Sequence, residues 1–392
     1  MQFAITLALL PPTLLFFQQF SLMSLIANFI AMSVVCLVVI PLSLFGTLGL
    51  LVAESMGKVL LLLGAKIFSG VWMWLSFLAS FDSSWYHAIY NLAILLVSIL
   101  GSVLLLAPRG FPAKYLGVFW FMPLFFYSPP LPRCDGEVWL TLLDVGQGLA
   151  ALVQTKRHNL IYDTGPKFFD DDAGARIMVP YLRQTGIARI DIMVVSHGDS
   201  DHSGGVSSIL KEIPATRIIT SSPAAILPHT SEYCVTGQRW QWDGVDFTIL
   251  SPPEKSDLEG NNASCVLKIT LADGQAILLT GDIERRAENL LVNTQKGMLD
   301  STVLVAPHHG SGSSSTAQFI AAVRPQYVLF PVGYRNRFRF PNKKVVAKYA
   351  AMGAELLDIS KLGAITFKLR NKSAILSINK YRDVIRRFWH DD

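Results

Sequence analysis

Charge is what the first third of this 392-residue chain lacks. Of its 34 Lys/Arg and 29 Asp/Glu, residues 1–135 hold only Lys58, Lys66, Arg109, Lys114 and Arg133 against Glu54, Asp82 and Asp135. So many apolar residues with so little charge exclude an ordinary soluble domain and point to a bilayer. Cysteine is scarce as well. Cys36, Cys134, Cys234 and Cys265 show no zinc-ligand spacing, which excludes a thiolate zinc module and leaves the soluble part at most one internal bridge, with Cys234–Cys265 one pairing. No basic run and small-residue cleavage site flank a single short apolar core near residue 1, so a cleaved signal peptide is not expected. There is no repeat of fixed period and no low-complexity tract.

The apolar runs fall at 3–17, broken by Pro11-Pro12, and at 22–40, 41–52, 59–78, 88–106 and 116–127. A full crossing takes about 20 residues, so 41–52 and 116–127 read as re-entrant, tilted or interfacial. Trp72, Trp74, Trp85, Tyr86 and Tyr90 fit an interfacial belt. Arg109 and Lys114 read as cytoplasmic by the positive-inside bias, and a crossing at 116–127 then carries the remainder outside the cytoplasm. The layout expected is a polytopic membrane domain over 1–128, a Pro/Gly-rich linker over 129–136, a soluble domain over 137–372 and a basic tail over 373–392.

Beyond the linker, short apolar runs at 138–143, 149–154 and 160–162 read as a meander of strands. Strands and helices then alternate. Helices are expected at 173–185, 205–212, 284–292, 314–323 and 343–352, the last followed by Gly353 as a C-terminal cap. Strands are expected at 190–195, 217–220, 246–250, 266–271, 276–279, 302–306, 327–331 and 365–369. The fold class is a layered α/β domain behind a helical membrane domain.

The run Ile190 to Val195 ends in Ser196-His-Gly-Asp-Ser-Asp-His-Ser-Gly-Gly205, which packs His197, Asp199, Asp201 and His202 into six positions. Imidazole nitrogens and carboxylate oxygens are ligands for divalent transition metals. Four on one tight loop cannot serve a single ion with good geometry. They suit two ions side by side, a pair able to clamp the attacking and leaving oxygens of a hydrolysis. Other polar clusters also end expected strands: Asp163, Asp282, and His308 with His309. Strand ends are where layered sheets gather their sites.

The strings Asp144-Val-Gly-Gln-Gly148, Tyr162-Asp-Thr-Gly165, Ser196 to Gly205, Asn261-Asn-Ala-Ser-Cys-Val-Leu267, Leu279-Thr-Gly-Asp282 and Pro307-His-His-Gly-Ser311 resemble, in order and spacing, the metallo-β-lactamase-like domain of ComEC-type DNA-uptake proteins. Ser24 to Ala31 and Val38 to Leu42 resemble the later part of that family's competence membrane domain. The resemblance implies an αββα fold and two divalent ions, Mn²⁺ or Zn²⁺. It pairs His197 with Asp199 at one ion and Asp201 with His202 at the other. Asp282 would bridge them, one of His308 and His309 would complete the set, and Asp201, His202 and Asp282 would carry the catalysis. Asp163 would orient the ligand loop. Asp144, Asn261, Asn262, Ser264 and Ser311 would support the site or touch substrate. The sequence departs at Arg339-Phe340, where the family often has Gly-His before Pro341. Its match also begins inside the family's longer pattern, without the usual N-terminal soluble domain.

Charge within the soluble part is uneven. Residues 137–300 carry 14 basic against 21 acidic side chains, and residues 324–387 carry 15 against three. Beside a hydrolytic site, a positive flank suggests a polyanion. Arg335, Arg337, Arg339, Lys343 and Lys344 make a candidate phosphate track, interleaved with Phe338 and Phe340. The expected function is a multi-pass protein of the cell's inner membrane. Its soluble domain, outside the cytoplasm, would be a metal-dependent phosphodiesterase or nuclease acting on incoming, single-stranded DNA, with the lipid bilayer and other uptake components as partners. The alternatives are a DNA-channel component with a non-catalytic soluble gate, and a membrane metallo-hydrolase of a lactam, thioester or lipid phosphodiester.

Overall fold

The computed structural model describes residues 2–17, 19–81, 84–86, 92–108, 110–126, 130–372, 375 and 377–384, with residues 2, 3 and 84–86 by backbone alone. Tyr90, Arg109, Tyr127 and residues 385–392, and the side chains of Trp85 and Tyr86, therefore lie outside the description. The chain divides into two compact units, residues 1–129 with 183–186 and residues 130–182 with 187–392.

The first unit is helical. Met23–Val52, of mean hydropathy 2.6, and Glu54–Ala79, of mean hydropathy 1.7, are long and apolar enough to cross a membrane. The runs expected separately at 22–40 and 41–52 are thus one. A π-helical segment, Val35–Val39, joins the α-helices Met23–Val34 and Ile40–Val52. Pro41 has no N–H and crowds the turn before it, and the wider π-turn loosens the ladder there. The helix Gln2–Phe17 likewise runs through Pro11 and Pro12. Glu54–Ala79 begins before the expected 59, with a Glu54–Lys58 ion pair in its first turn. Lys114–Phe126 is broken into short helical pieces. At 1.5 Å per residue it reaches about 20 Å, short of a hydrocarbon core of about 30 Å.

Close backbone approach packs this unit. A Cβ on Gly57 would lie 2.4 Å from the Leu50 nitrogen and 2.7 Å from the Gly46 carbonyl oxygen, and one on Gly101 2.8 Å from the Gly117 carbonyl oxygen. Among apolar helices, where lipid is as oily as the partner, such contacts supply the packing.

In the second unit two sheets lie face to face with helices outside. The eight-stranded sheet runs, in spatial order, Glu232–Tyr233, Ala215–Thr220, Ile190–Val195, Asn159–Thr164, Ala150–Gln154, Glu137–Leu142, Ile365–Arg370 and Ser377–Lys380. The seven-stranded sheet runs Arg239–Trp242, Val245–Ser251, Val266–Leu271, Ala276–Leu279, Val303–Val305, Tyr327–Phe330 and Glu355–Asp358.

Alternation along the strands builds three apolar layers. Leu160, Tyr162, Ile192 and Val194 point between the sheets toward Phe247, Leu267, Ile277 and Leu279. Ile161, Met193 and Val195 point outward beneath the helices Val179–Gln184 and Val206–Glu212. Arg285–Gln295, Ala317–Val323 and Lys343–Ala351 cover the other sheet. A strand buried on both faces needs apolar residues at every position, which is why Ile192 to Val195 does not alternate.

Some elements were not anticipated. Arg239–Trp242 and Glu355–Asp358 are half-exposed edge strands whose charged residues hid them. Part of the expected basic tail is sheet: Ser377–Lys380 pairs antiparallel with Ile365–Arg370, and Tyr381–Val384 adds a helical turn. Cys234 and Cys265 pair, with Cα atoms 5.9 Å apart.

The loop that follows Ile190–Val195 is seated by Gly205. A Cβ there would meet the Gly174 nitrogen and the Thr164 carbonyl oxygen, both at 2.6 Å. Gly205→Ala should lower stability by about 1–3 kcal/mol, read as a fall in the thermal midpoint of the whole chain in detergent. An unchanged midpoint would show that this backbone yields freely.

Candidate metal centre

The Ile190–Val195 strand delivers Ser196 and His197, both fully buried, to its C-terminal end. The chain then turns into the one-turn helix Ser200–Ser203, with the His202 and Ser203 amides donating to the Asp199 carbonyl. The adjoining strand supplies Asp163, held at a φ of 58°. One Asp163 oxygen accepts the Ser196 amide at 2.6 Å, and the other accepts the Ser196 hydroxyl at 2.8 Å and faces His202 Nδ1 at 2.7 Å. Thr164 Oγ1 donates to the His202 carbonyl at 2.9 Å and accepts the Gly205 amide at 3.1 Å. Ring and backbone of His202 are thus fixed together.

The second sheet supplies the rest. Asp282 follows Ala276–Leu279, its amide donating to Ser264 Oγ at 3.1 Å. His308 and His309 follow Val303–Val305, both at positive φ, 48° and 55°. Two consecutive non-glycine residues in that region are strained, and such strain gathers at functional sites. His309 Nδ1 lies 2.8 Å from the Pro331 carbonyl oxygen.

Asp201, His202, Asp282 and His309 can each offer one atom such that all lie within 4.8 Å of one another. His202 Nε2 is 3.1 Å from Asp282 Oδ1 and 3.2 Å from His309 Nε2. His309 Nε2 is 3.3 Å from both Asp201 Oδ2 and Asp282 Oδ2. Both Nδ1 atoms face acceptors that cannot donate, the Asp163 carboxylate and the Pro331 carbonyl, so each Nδ1 carries the proton. On the neutral rings each Nε2 bears a lone pair, and the two face each other with carboxylates around them. Such a set calls for positive charge, either a proton on Nε2 or a shared cation, and imidazoles oriented through the opposite ring nitrogen are how proteins present metal ligands. The residues fit a divalent ion.

The electrostatics show the same demand for positive charge, which protons meet where no cation is bound. Burial, the largest influence, opposes charge on His202 and His309, but the carboxylates around them together outweigh it. His202, which also faces Asp163, is raised well above the usual imidazole range, and His309 is raised to about 9. Despite its own burial, Asp282 is held well below the carboxylate range by His202 and His309. His197 is pushed down by burial and by His202. Its Nδ1 meets Ser196 Oγ at 3.0 Å, while its buried Nε2 has no hydrogen-bond partner and lies 3.5 Å from Asp199 Oδ2. That orphaned nitrogen, with Asp199 and Asp282, could hold a second ion.

A metallo-beta-lactamase superfamily model matches residues 143–333, and a competence protein model matches residues 1–111. The chain is ComEC-type. Competence protein ComA of Neisseria gonorrhoeae is 38% identical over 71% of this chain and 39% of its own length. YcaI of Escherichia coli K12, an uncharacterized protein, is 32% identical over 100% of this chain and 50% of its own. Recombination protein 2 of Haemophilus influenzae is 28% identical over 89% and 47%. This ComEC-type chain therefore spans about half, or less, of these relatives. Among solved structures, the metallo hydrolase Igni18 of Ignicoccus hospitalis aligns with a TM-score of 0.38 at 17% identity, over 59% of this chain and 100% of its own. The second unit therefore has the fold of the metallo-beta-lactamase superfamily.

Of the two histidines that sequence leaves undivided, His309 enters the cluster of this ComEC-type site. His308 stands beside it, its Nε2 3.7 Å from Asp282 Oδ2 and its Nδ1 3.1 Å from Glu284 Oε1. Other expected site residues turn elsewhere. Asp144 is outside the cluster, paired with Arg382 at 2.8 Å. Asn262 Oδ1 accepts the Glu284 and Ala287 amides and so caps the helix Arg285–Gln295. Ser264 Oγ is engaged by the Asp282 amide and the Asn261 carbonyl. Ser311 Oγ faces Ser313 Oγ at 3.0 Å. Arg335, Arg337, Arg339, Lys343 and Lys344 are exposed on the loop and helix start that follow Tyr327–Phe330.

Sequence reasoning missed Glu284, which also accepts the Ser313 hydroxyl at 2.7 Å. It missed Glu288, whose buried carboxylate accepts the Ser315 and Thr316 amides behind the His308–His309 turn. It also passed over the hydroxyls of Ser196 and Thr164. Both stand inside the quoted motifs, so their neighbours gave a signal. The Pro331 carbonyl gave none.

Asp163→Ala would leave the Ser196 amide and hydroxyl and the His202 ring without their buried acceptor. The expected loss is roughly 3–5 kcal/mol, measured by denaturant unfolding of the whole chain, with Asp163→Asn losing less. Equal stability of all three proteins would show that this carboxylate orders nothing.

Proposed function

We propose that this chain is a membrane-bound DNA-uptake protein whose soluble domain is a metal-dependent phosphodiesterase acting on incoming single-stranded DNA. One observation carries the catalytic part: two buried imidazoles whose Nε2 atoms face each other 3.2 Å apart, framed by Asp201 and Asp282. A purely structural gate has no use for such a set. Divalent ions bound there, Mn²⁺ or Zn²⁺, supply Lewis-acid charge for phosphoryl transfer.

In this reading Asp201, His202, Asp282 and His309 hold one ion, and His197 and Asp199 hold a second, with Asp282 shared. Asp163 and Pro331 keep the ligand nitrogens aimed. Arg335, Arg337, Arg339, Lys343 and Lys344 hold the DNA backbone by counterion release. Two helices of membrane-crossing length and the competence match support a membrane location. The domain is taken to face outside the cytoplasm, where incoming DNA arrives, with other uptake components as partners.

The purified chain in detergent should bind at least one equivalent of Mn²⁺ or Zn²⁺ and cut single-stranded DNA only with metal present. Asp282→Ala and His202→Ala should lose most of both properties, because an incomplete ligand set holds metal poorly. Less than one equivalent in excess metal would end the metallo-hydrolase reading. Neutralising Arg335, Arg337 and Arg339 together should lower the salt slope of DNA binding by roughly two while leaving the metal in place. An unchanged slope would point to a different substrate. An impermeant thiol probe tests the orientation. Labelling of an engineered surface cysteine on the Lys343–Ala351 helix only after lysis would put the domain inside.

A further inference from the structure

The loop from Tyr334 to Phe340 carries a stack of planar groups that starts at the metal cluster and ends in solvent. Phe340 lies nearly parallel to His309, 17° between planes and 6.5 Å between centroids, and edge-on to His308 at 5.8 Å. Phe338 continues the stack on Phe340, at 18° and 5.6 Å. The Arg337 guanidinium sits 4.8 Å from the Phe338 ring centre. Phe338 is nonetheless half exposed, a large apolar ring kept in water beside a polar site.

The loop is built to keep it there. Arg335 and Arg339, which bracket Phe338, both have positive φ, 50° and 58°, a conformation that side-chain-bearing residues rarely adopt. Asn336 offsets the strain. Its amide nitrogen donates to the Gly333 and Phe340 carbonyls at 3.1 and 2.8 Å, and its oxygen accepts the Phe340 amide at 2.9 Å. The Asn342 amide ties the end of the loop to the Gly310 carbonyl, next to His309. A strained, cross-braced loop that displays an aromatic ring and arginines is pre-organised for a planar, anionic ligand.

We propose that Phe338 and Arg337 form a nucleobase platform two ring-spacings from His309. An incoming base takes the guanidinium's place on Phe338, and the displaced Arg337 meets the neighbouring phosphate. This stack would hold the strand by its bases while the cluster addresses its backbone, and it would read no sequence, since every base has a flat face. The inference rests on DNA being the substrate of this site.

The test uses the whole chain in detergent and two probes, an oligothymidylate and an abasic oligonucleotide of equal length. Wild type should bind the oligothymidylate more tightly than the abasic strand. Phe338→Ala should weaken the oligothymidylate at least about 5-fold and leave the abasic strand unchanged, and Phe338→Trp should restore the difference. A fluorescent base analogue should be quenched by wild type and by Phe338→Trp, and not by Phe338→Ala. All three proteins should hold equal metal. If Phe338→Ala weakens both probes alike, or neither, the platform is overturned and the DNA reading stands. If wild type binds neither probe, the DNA reading fails and the platform with it.

Discussion

Everything at this site depends on two imidazole nitrogens being forced to face each other. His202 and His309 come from different sheets, and each has spent its Nδ1 proton on an acceptor behind it, Asp163 in one case and the Pro331 carbonyl in the other. That leaves the two Nε2 atoms 3.2 Å apart in a buried pocket. In a medium of low polarizability, such a contact is tolerable only with positive charge there, as protons on the nitrogens or as a cation shared with the Asp201 and Asp282 oxygens. The surrounding fold can be understood as the scaffold that makes this unfavourable arrangement unavoidable.

Two features of the scaffold achieve it. The first is the stacking of two sheets around one apolar layer, which places the C-terminal ends of Ile190–Val195, Ala276–Leu279 and Val303–Val305 around one crevice. The second is close backbone contact beneath the ligand loop. Thr164 grips the His202 carbonyl, the Leu149 amide grips the Asp201 carbonyl, and Gly148 leaves no room for a side chain against that same Asp201 oxygen. A loop held by its backbone in this way cannot turn its ligands outward to relieve their repulsion.

Half of the described non-glycine residues at positive φ gather in the same place. Asp163, His308, His309, Arg335 and Arg339 each lie at the cluster or on the loop that leaves it. Local propensity disfavours these conformations, so tertiary contacts must hold them. The Phe340 ring fills the space beside His308 and His309.

Composition and pattern carried much of this architecture. The charge-poor first third, the two-faced apolar strand before His197 and the clustering of His and Asp at strand ends are all local properties, set by residues close together in the chain. A ligand loop of six positions is legible because its chemistry is local too. The continuity of Met23–Val52 through Pro41, the edge strands Arg239–Trp242 and Ser377–Lys380, and the capping duty of Asn262 were not legible, because each is decided by a neighbour distant in sequence or by a helix ladder that yields. The choice between His308 and His309 shows the division most plainly. By sequence they are adjacent and chemically identical. Only the turn at positive φ, the Pro331 carbonyl from the next strand and the facing His202 ring direct one into the cluster and leave the other beside it, because a lone pair's direction is a property of three-dimensional packing and not of residue order.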